Sequence, residues 1–265
     1  MATNYPSLIR AEADRMLAVG AGPLDAVVPS CPAWDVATLI CHVGWVTRWY
    51  RYLLDLPEGE EQTEEGLVAA GVPAEGGTAL QRPEGDLVAW FQQGVEELLQ
   101  AYEERPPTKM VNTVYGVRTS PLLLIRRMAH ELAIHRWDAE QAQRTPAGFD
   151  AALAADGIDE LLEKYWLPRP KDTRWPGYSF RWAELRATGQ TIHLHSTDSE
   201  DGWLITLNPD STELRRGHDE DADVTARGGL DEFYLLVWKR YDADRLGTLG
   251  DKELLKRWHA ATRHP

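Results

Sequence analysis

The sequence pattern of this chain changes after Phe149, where strand-like runs join the helical ones. Before that point apolar residues recur at helical spacing. After it, short runs alternate apolar and polar residues, the pattern of half-buried strands. In a chain of 265 residues such a switch divides the fold into two modest domains, residues 1–148 and residues 149–265, and makes the whole α+β.

In the first part, Leu8, Ile9, Ala13, Met16 and Leu17 share a helical stripe that Gly20 and Gly22 end. Pro29 and Pro32 hold an extended turn, V-P-S-C-P-A-W-D, whose Asp35 is a good N-cap for a second helix over 36–54. Residues 57–85, rich in Glu, Gly and Pro, read as a long, partly helical surface connection and a candidate lid. A third amphipathic helix spans 86–104 and stops at Pro106 and Pro107, and a fourth begins with Pro121 in its first turn and fades near Pro146 and Gly148. Four long helices joined by loops imply a four-helix bundle with functional side chains on its inward faces.

In the second part, a helix at 150–165 leads into a Pro/Arg/Trp-rich loop at 166–182. The runs A-E-L-R-A-T, T-I-H-L-H-S, W-L-I-T-L, T-E-L-R-R and A-D-V-T-A-R-G-G read as strands of a small antiparallel sheet, with helices following at 230–241 and 251–262.

The chemistry concentrates in the fourth helix, in M-A-H-E-L-A-I-H-R-W-D-A-E at 128–140. Successive helical residues rotate by about 100°, so Glu131 and His135, at i and i+4, nearly align, and Asp138 falls on the same stripe. His130 and His135 differ by five and stand roughly 140° apart. The zinc-protease motif H-E-x-x-H is therefore excluded, its histidines being one residue closer. Glu131 and His135 are candidate metal ligands, and Asp138 is placed to orient His135 through its other ring nitrogen. Alone, this pair reads first as a solvated helix face with an incidental Glu/His pair. A third candidate changes that balance: His42 lies in the middle of the second helix among Leu39, Val43 and Val46, on a face expected to point inward. Two histidines and a carboxylate with one open position make a catalytic type of zinc site. Cys41 is turned about 100° from His42 and reads as a small buried hydrophobe.

Other features exclude functions. A net charge of −14, spread along the chain, repels phosphate backbones and argues against a nucleic-acid partner. The longest apolar run is far short of a membrane span, and no secretory signal is visible at the start. The two cysteines, Cys31 and Cys41, give no disulfide framework and fit a reducing cytoplasm. The 11 tryptophans are too many for one core, and Trp34, Trp45, Trp49 and Trp137 are candidates either for the walls of a cleft or for packing. His193 and His195 share one face of a strand; such a pair can bind metal, but the alternation reads first as the wet face of a half-buried sheet. R-R-G-H-D-E-D-A-D at 215–223 reads as a turn without calcium-loop spacing.

The motifs V-P-S-C-P-A-W-D-V-A-T-L-I-C-H-V-G, H-E-L-A-I-H-R-W-D-A-E, L-L-V-W-K-R and L-G-D-K-E-L-L-K-R-W, in this order, resemble the mycothiol-dependent maleylpyruvate isomerase family over nearly the whole chain. The resemblance implies a DinB-like four-helix bundle holding a divalent metal, usually zinc, followed by a C-terminal domain similar to sterol carrier proteins. It carries the family's His/Glu/His ligands onto His42, Glu131 and His135, and a catalytic arginine onto Arg240 by position. It also implies mycothiol as cosubstrate, its metal-bound thiolate attacking an electrophilic small molecule in either cis–trans isomerisation or S-transfer. Asp138 and Trp45 are then expected around the cofactor, and Arg240 at a substrate carboxylate. The expected protein is a cytoplasmic enzyme, monomer or homodimer. A non-catalytic binding module with a structural metal and a metal-dependent hydrolase are the alternatives.

Overall fold

The computed structural model describes residues 3–112, 118–164, 185, 187–209 and 211–261. The chain forms two compact units, Met1–Gly148 and Phe149–Pro265.

In the first unit each long helix starts where a side chain can satisfy its free N–H groups. Asn4 accepts from Ser7 N at 3.2 Å to open α1 (Tyr5–Gly20). Asp35 accepts from Thr38 N at 2.7 Å to open α2 (Val36–Asp55). The connection that follows holds a short helix, α3 (Glu64–Ala69), and a 3-10 turn (Gly76–Thr78) that packs on α2. Asp86 accepts from Val88 N and Ala89 N to open α4 (Leu87–Glu104). A two-stranded antiparallel ladder, β1 (Val111–Asn112) with β2 (Arg118–Thr119), precedes α5 (Pro121–Ala142), which Ser120 caps.

α2 packs on α4 and α5, and α5 packs on α1. Ile9, Met16, Leu39, Ile40, Val43, Leu98, Ile125, Met128 and Leu132 fill the space between them and are buried. The α1–α5 contact also encloses an ion network. Arg136 Nε donates to Glu12 at 2.6 Å, Arg136 Nη1 donates to Glu140 at 2.8 Å, and Arg15 bonds Glu140 at 3.0 Å. Glu140 further accepts from Ala147 N at 2.9 Å. Because Arg136 follows His135 directly, anchoring Arg136 to α1 turns His135 toward a different neighbour, about 100° around the helix.

In the second unit, α6 (Ala151–Lys164) precedes a five-stranded sheet in the order β5-β4-β3-β6-β7. The strands are β3 (Gln190–Ser196), β4 (Gly202–Leu207), β5 (Thr212–Arg216), β6 (Val224–Gly228) and β7 (Gly247–Gly250). α7 (Leu230–Val237) and α8 (Lys252–Ala261) complete the unit. Ile192, Leu194, Trp203, Ile205, Val224 and Ala226 are buried, and Trp203 meets Phe233 of α7 edge-on at 6.1 Å.

The α+β class holds, but the sheet is mixed rather than antiparallel: β3 and β6 run parallel, Ile192 beside Val224 and His195 beside Arg227. Alternation reports which face of a strand is buried and not which strand lies alongside it, so the sequence pattern could not distinguish the two pairings. β7 escapes the pattern because G-T-L-G is short and glycine-rich. The expected strand A-E-L-R-A-T falls mostly outside the described residues. Its described members are helical at Leu185 and outside any strand at Ala187 and Thr188. The loop at 166–182 also lies outside them. The helix expected to run to 241 stops at Val237, because Lys239 takes a left-handed φ of 61° that a helix cannot continue.

Candidate metal centre

From Arg127 to Glu140 every side chain of α5 except Glu131 is buried. Apart from Glu131, the polar stretch of the fourth helix therefore does not meet water. Ionisable groups in such a place need partners or neutralisation, and here they have them.

His135 Nε2 lies 3.2 Å from Glu131 Oε1, and His135 Nδ1 lies 3.0 Å from Asp138 Oδ2. Across the helix pair, α2 presents His42, whose Nε2 is 3.7 Å from the same Oε1 of Glu131. The His42 and His135 rings stand edge-on with centroids 5.0 Å apart. One ligand atom from each of His42, Glu131 and His135 lies within 4.8 Å of the other two. His130 is fully buried but is not a member of this cluster.

Second contacts hold the set in place. Ser30 Oγ donates to Asp138 Oδ1 at 2.7 Å, and Arg127 bonds Glu131 Oε2 at 3.3 Å. Arg127 lies one turn before Glu131 on the same stripe, so the i,i+4 rule that found the Glu131/His135 pair also reaches Arg127. Ser30 had no such signal, since it comes from the turn before α2.

Burial opposes the charged form of every member, and the partners decide the outcome. Burial raises the Glu131 carboxyl, but His135, His42 and Arg127 outweigh it and hold it well below the usual carboxylate range. Burial lowers His135, but Asp138 and Glu131 outweigh it and leave this imidazole above its ordinary value. At His42 burial wins over the pull of Glu131, and the ring is held below its ordinary value, thus neutral.

This donor set fits a divalent cation. The 3.7 Å between His42 and Glu131 is too long for a hydrogen bond, yet it is close to the roughly 3.3 Å that separates two ligands of a tetrahedral zinc ion with Zn–N near 2.0 Å. His42 Nδ1, the nitrogen away from Glu131, is buried without a hydrogen-bond partner. The Asp138–His135 contact is the carboxylate–histidine arrangement that fixes the tautomer of a metal-binding imidazole.

The chain's buried thiol is a poor nucleophile here. Cys41 is buried and its thiol is pushed up to about 11 by that burial, so it stays protonated at neutral pH. Of the four candidate cleft tryptophans, Trp34 lies against His42, with ring centroids 5.1 Å apart. Trp45 packs edge-on against Trp90 at 4.8 Å and donates to Gln81 O at 2.9 Å. Trp49 donates to Gln62, and Trp137 is buried. In the second unit, Arg240 follows α7 half-buried, and its Nη1 donates to Trp238 O at 2.9 Å.

Two family models match the chain: the mycothiol maleylpyruvate isomerase N-terminal domain over residues 7–140 and the corresponding C-terminal domain over residues 152–257. Among solved structures, the mycothiol-dependent maleylpyruvate isomerase aligns with a TM-score of 0.57 at 14% identity, covering 92% of this chain and 91% of that one. A mutant of the isomerase aligns at 0.56, with the same identity and coverage. At this identity the likeness speaks for the fold. A UbiJ-SCP2 ubiquinone synthesis protein aligns at a TM-score of 0.27 and 16% identity, over 43% of this chain and 92% of that one, and carries no argument. No curated protein matches in sequence.

Proposed function

The chain belongs to the mycothiol maleylpyruvate isomerase family, and from that premise we propose that it is a mycothiol-dependent isomerase whose thiol cosubstrate is activated at a divalent cation held by His42, Glu131 and His135. The observation that carries this reading is the convergence of those three side chains, from two helices, within 4.8 Å. Zinc is the metal the two imidazoles and one carboxylate suit best. When bound, such a cation lowers the pKa of a coordinated thiol as it does that of water, so the thiol reacts as thiolate at neutral pH.

The chain's own groups have separate tasks. His42 and His135 supply nitrogen donors, and Glu131 supplies one negative charge that Arg127 steadies from the far side. Asp138, fixed by Ser30, holds His135 with its Nε2 toward the cluster. Three protein ligands leave one position for an exogenous sulfur, the open arrangement of catalytic sites. Cys41, protonated and buried, leaves that position to a cosubstrate. The reaction class is reversible thiol addition to a cis double bond conjugated to a carbonyl: the bond becomes single, rotates, and expels the thiol to leave the trans isomer. S-transfer to an electrophile uses the same activation without the final expulsion. We assign Trp45, one turn beyond His42 on α2, to the wall of the thiol pocket on that spacing alone. Arg240 is the residue for a substrate carboxylate, an assignment that rests on its place in L-L-V-W-K-R.

Isomerisation of maleylpyruvate, followed by ultraviolet absorbance with mycothiol present, tests the proposal. Stripping metal with a chelator abolishes turnover and adding zinc restores it, while His42→Ala loses one equivalent of bound metal and lowers kcat/KM by at least about a hundredfold. Arg240→Lys raises KM more than it lowers kcat. A His42→Ala protein with full metal content and full activity would refute the assignment.

A further inference from the structure

A second group of histidines lies in the other unit, apart from anything the isomerase chemistry uses. β3 places His193 and His195 on the same sheet face, opposite the buried Ile192 and Leu194. That face was expected to be simply wet. Instead His193 is buried, and a third imidazole, His218, closes over it from the turn after β5. His193 Nε2 lies 3.1 Å from His218 Nδ1. The ring centroids are 5.3 Å apart for His193–His195, 5.2 Å for His193–His218 and 4.8 Å for His195–His218. One nitrogen from each ring lies within 4.8 Å of the other two.

We propose that His193, His195 and His218 form a second cation site, which takes a borderline divalent ion such as zinc through three imidazoles and leaves a fourth position open.

Local backbone features make room for this arrangement. In the β3–β4 ladder the residue opposite His195 is Gly202. A Cβ there would come within 2.5 Å of Gly217 O, 2.6 Å of His218 Cε1 and 2.7 Å of His218 Nδ1. Any other residue at 202 would displace the Gly217–His218 turn. Gly217, at φ +127°, turns the chain so that His218 folds back over β4. The outer nitrogens have their own partners: His218 Nε2 faces Glu200 O at 3.3 Å, and Thr225 Oγ1 sits 3.5 Å from His193 Nδ1. A carbonyl on the far nitrogen orients a metal-binding imidazole and leaves the near one free to bind.

The electrostatics on β3 favour neutral imidazoles at His193 and His195. Burial and the neighbouring imidazoles hold His193 below its ordinary pKa, against Asp219, which raises it. His195 is lowered by burial, Arg227 and His218. Arg227, beside His195 in the parallel ladder, repels a cation and Asp219 attracts one. A His₃ set binds zinc without a protein carboxylate, so this balance suffices. Imidazole donors also suit copper and nickel, and zinc is the probe that the first site shares.

The test is equilibrium dialysis of the metal-stripped full-length protein against zinc, followed by elemental analysis. His218 is exposed, so His218→Ala is expected to leave the fold intact, which circular dichroism checks. The proposal predicts that His218→Ala binds one equivalent less than the parent chain, and that His42→Ala/His218→Ala binds one less than His42→Ala. Equal zinc uptake by His218→Ala and the parent chain overturns the second site, showing three rings that merely hydrogen-bond one another. Because the readout is the difference at His218, failure of the bundle site lowers both totals without changing it.

Discussion

At the scale of single residues, the site rests on partners more than on ligands. Glu131 and His135 were legible from i,i+4 spacing, and His42 from a polar residue on an apolar helix face. Asp138 was legible as well, since three residues beyond His135 keeps it on the stripe. Ser30 and His218 were not, because each comes from a turn whose position relative to its partners is set by tertiary packing that no local period encodes. If Asp138 orients His135, Asp138→Asn keeps the volume but loses the charge that fixes the tautomer. We expect zinc affinity to fall about 10- to 100-fold, read by competition with a chromophoric chelator, with the thermal midpoint of the metal-free protein less affected than that of the loaded one.

A second residue-scale prediction concerns Lys239. Burial, opposed by Asp242, lowers its ammonium from 10.5 to about 7, while its Nζ donates to His259 O. The unfolded chain therefore holds this proton more tightly than the folded one. Between about pH 7 and 10.5 the unfolded state binds more protons at this site, so stability rises with pH there. Below about 7 both states carry the proton and the full penalty is present. Comparing urea unfolding of the parent chain and Lys239→Met at pH 6.5 and pH 9.5 checks this. Relative to the variant, the parent chain gains stability at the higher pH; an unchanged difference would show that the ammonium is well solvated in the folded state.

At the scale of elements, α5 acts as a rod held at two azimuths. One face is fixed to α1 through Arg136, Glu12, Glu140 and Arg15, and the adjacent face carries His135 toward His42 on α2. The caps at Asn4, Asp35, Asp86 and Ser120 set where each helix starts, and the sequence announced three of those starts through Asp35, Asp86 and Pro121. The depth of the ion network was not announced, because a charged residue looks the same whether its face is covered or open. Removing one member of a buried network strands the others. Arg136→Ala should cost roughly 3–5 kcal/mol, seen as a lower urea midpoint with an unchanged slope, and it should weaken metal binding as α5 loses its azimuth. In the second unit the period of two gave four of the strands, while pairing direction and the glycine-rich β7 required the folded chain.

At the scale of the whole molecule, the change of pattern at Phe149 coincides with the boundary between the two compact units. The family models cover both sides of it. Among the described residues no helix is long and apolar enough to cross a membrane. The proposed activity draws on the first unit for the cation and assigns Arg240 of the second to the substrate, while the histidine trio on the sheet is a separate prediction that stands or falls by itself.

The most direct measurement is zinc K-edge X-ray absorption of the His218→Ala protein, which retains only the site on α2 and α5, recorded without and with mycothiol. The account predicts a shell of nitrogen and oxygen alone that gains one sulfur at about 2.3 Å when the thiol is added. A shell that already contains cysteine sulfur, or one that does not change with thiol, would contradict it.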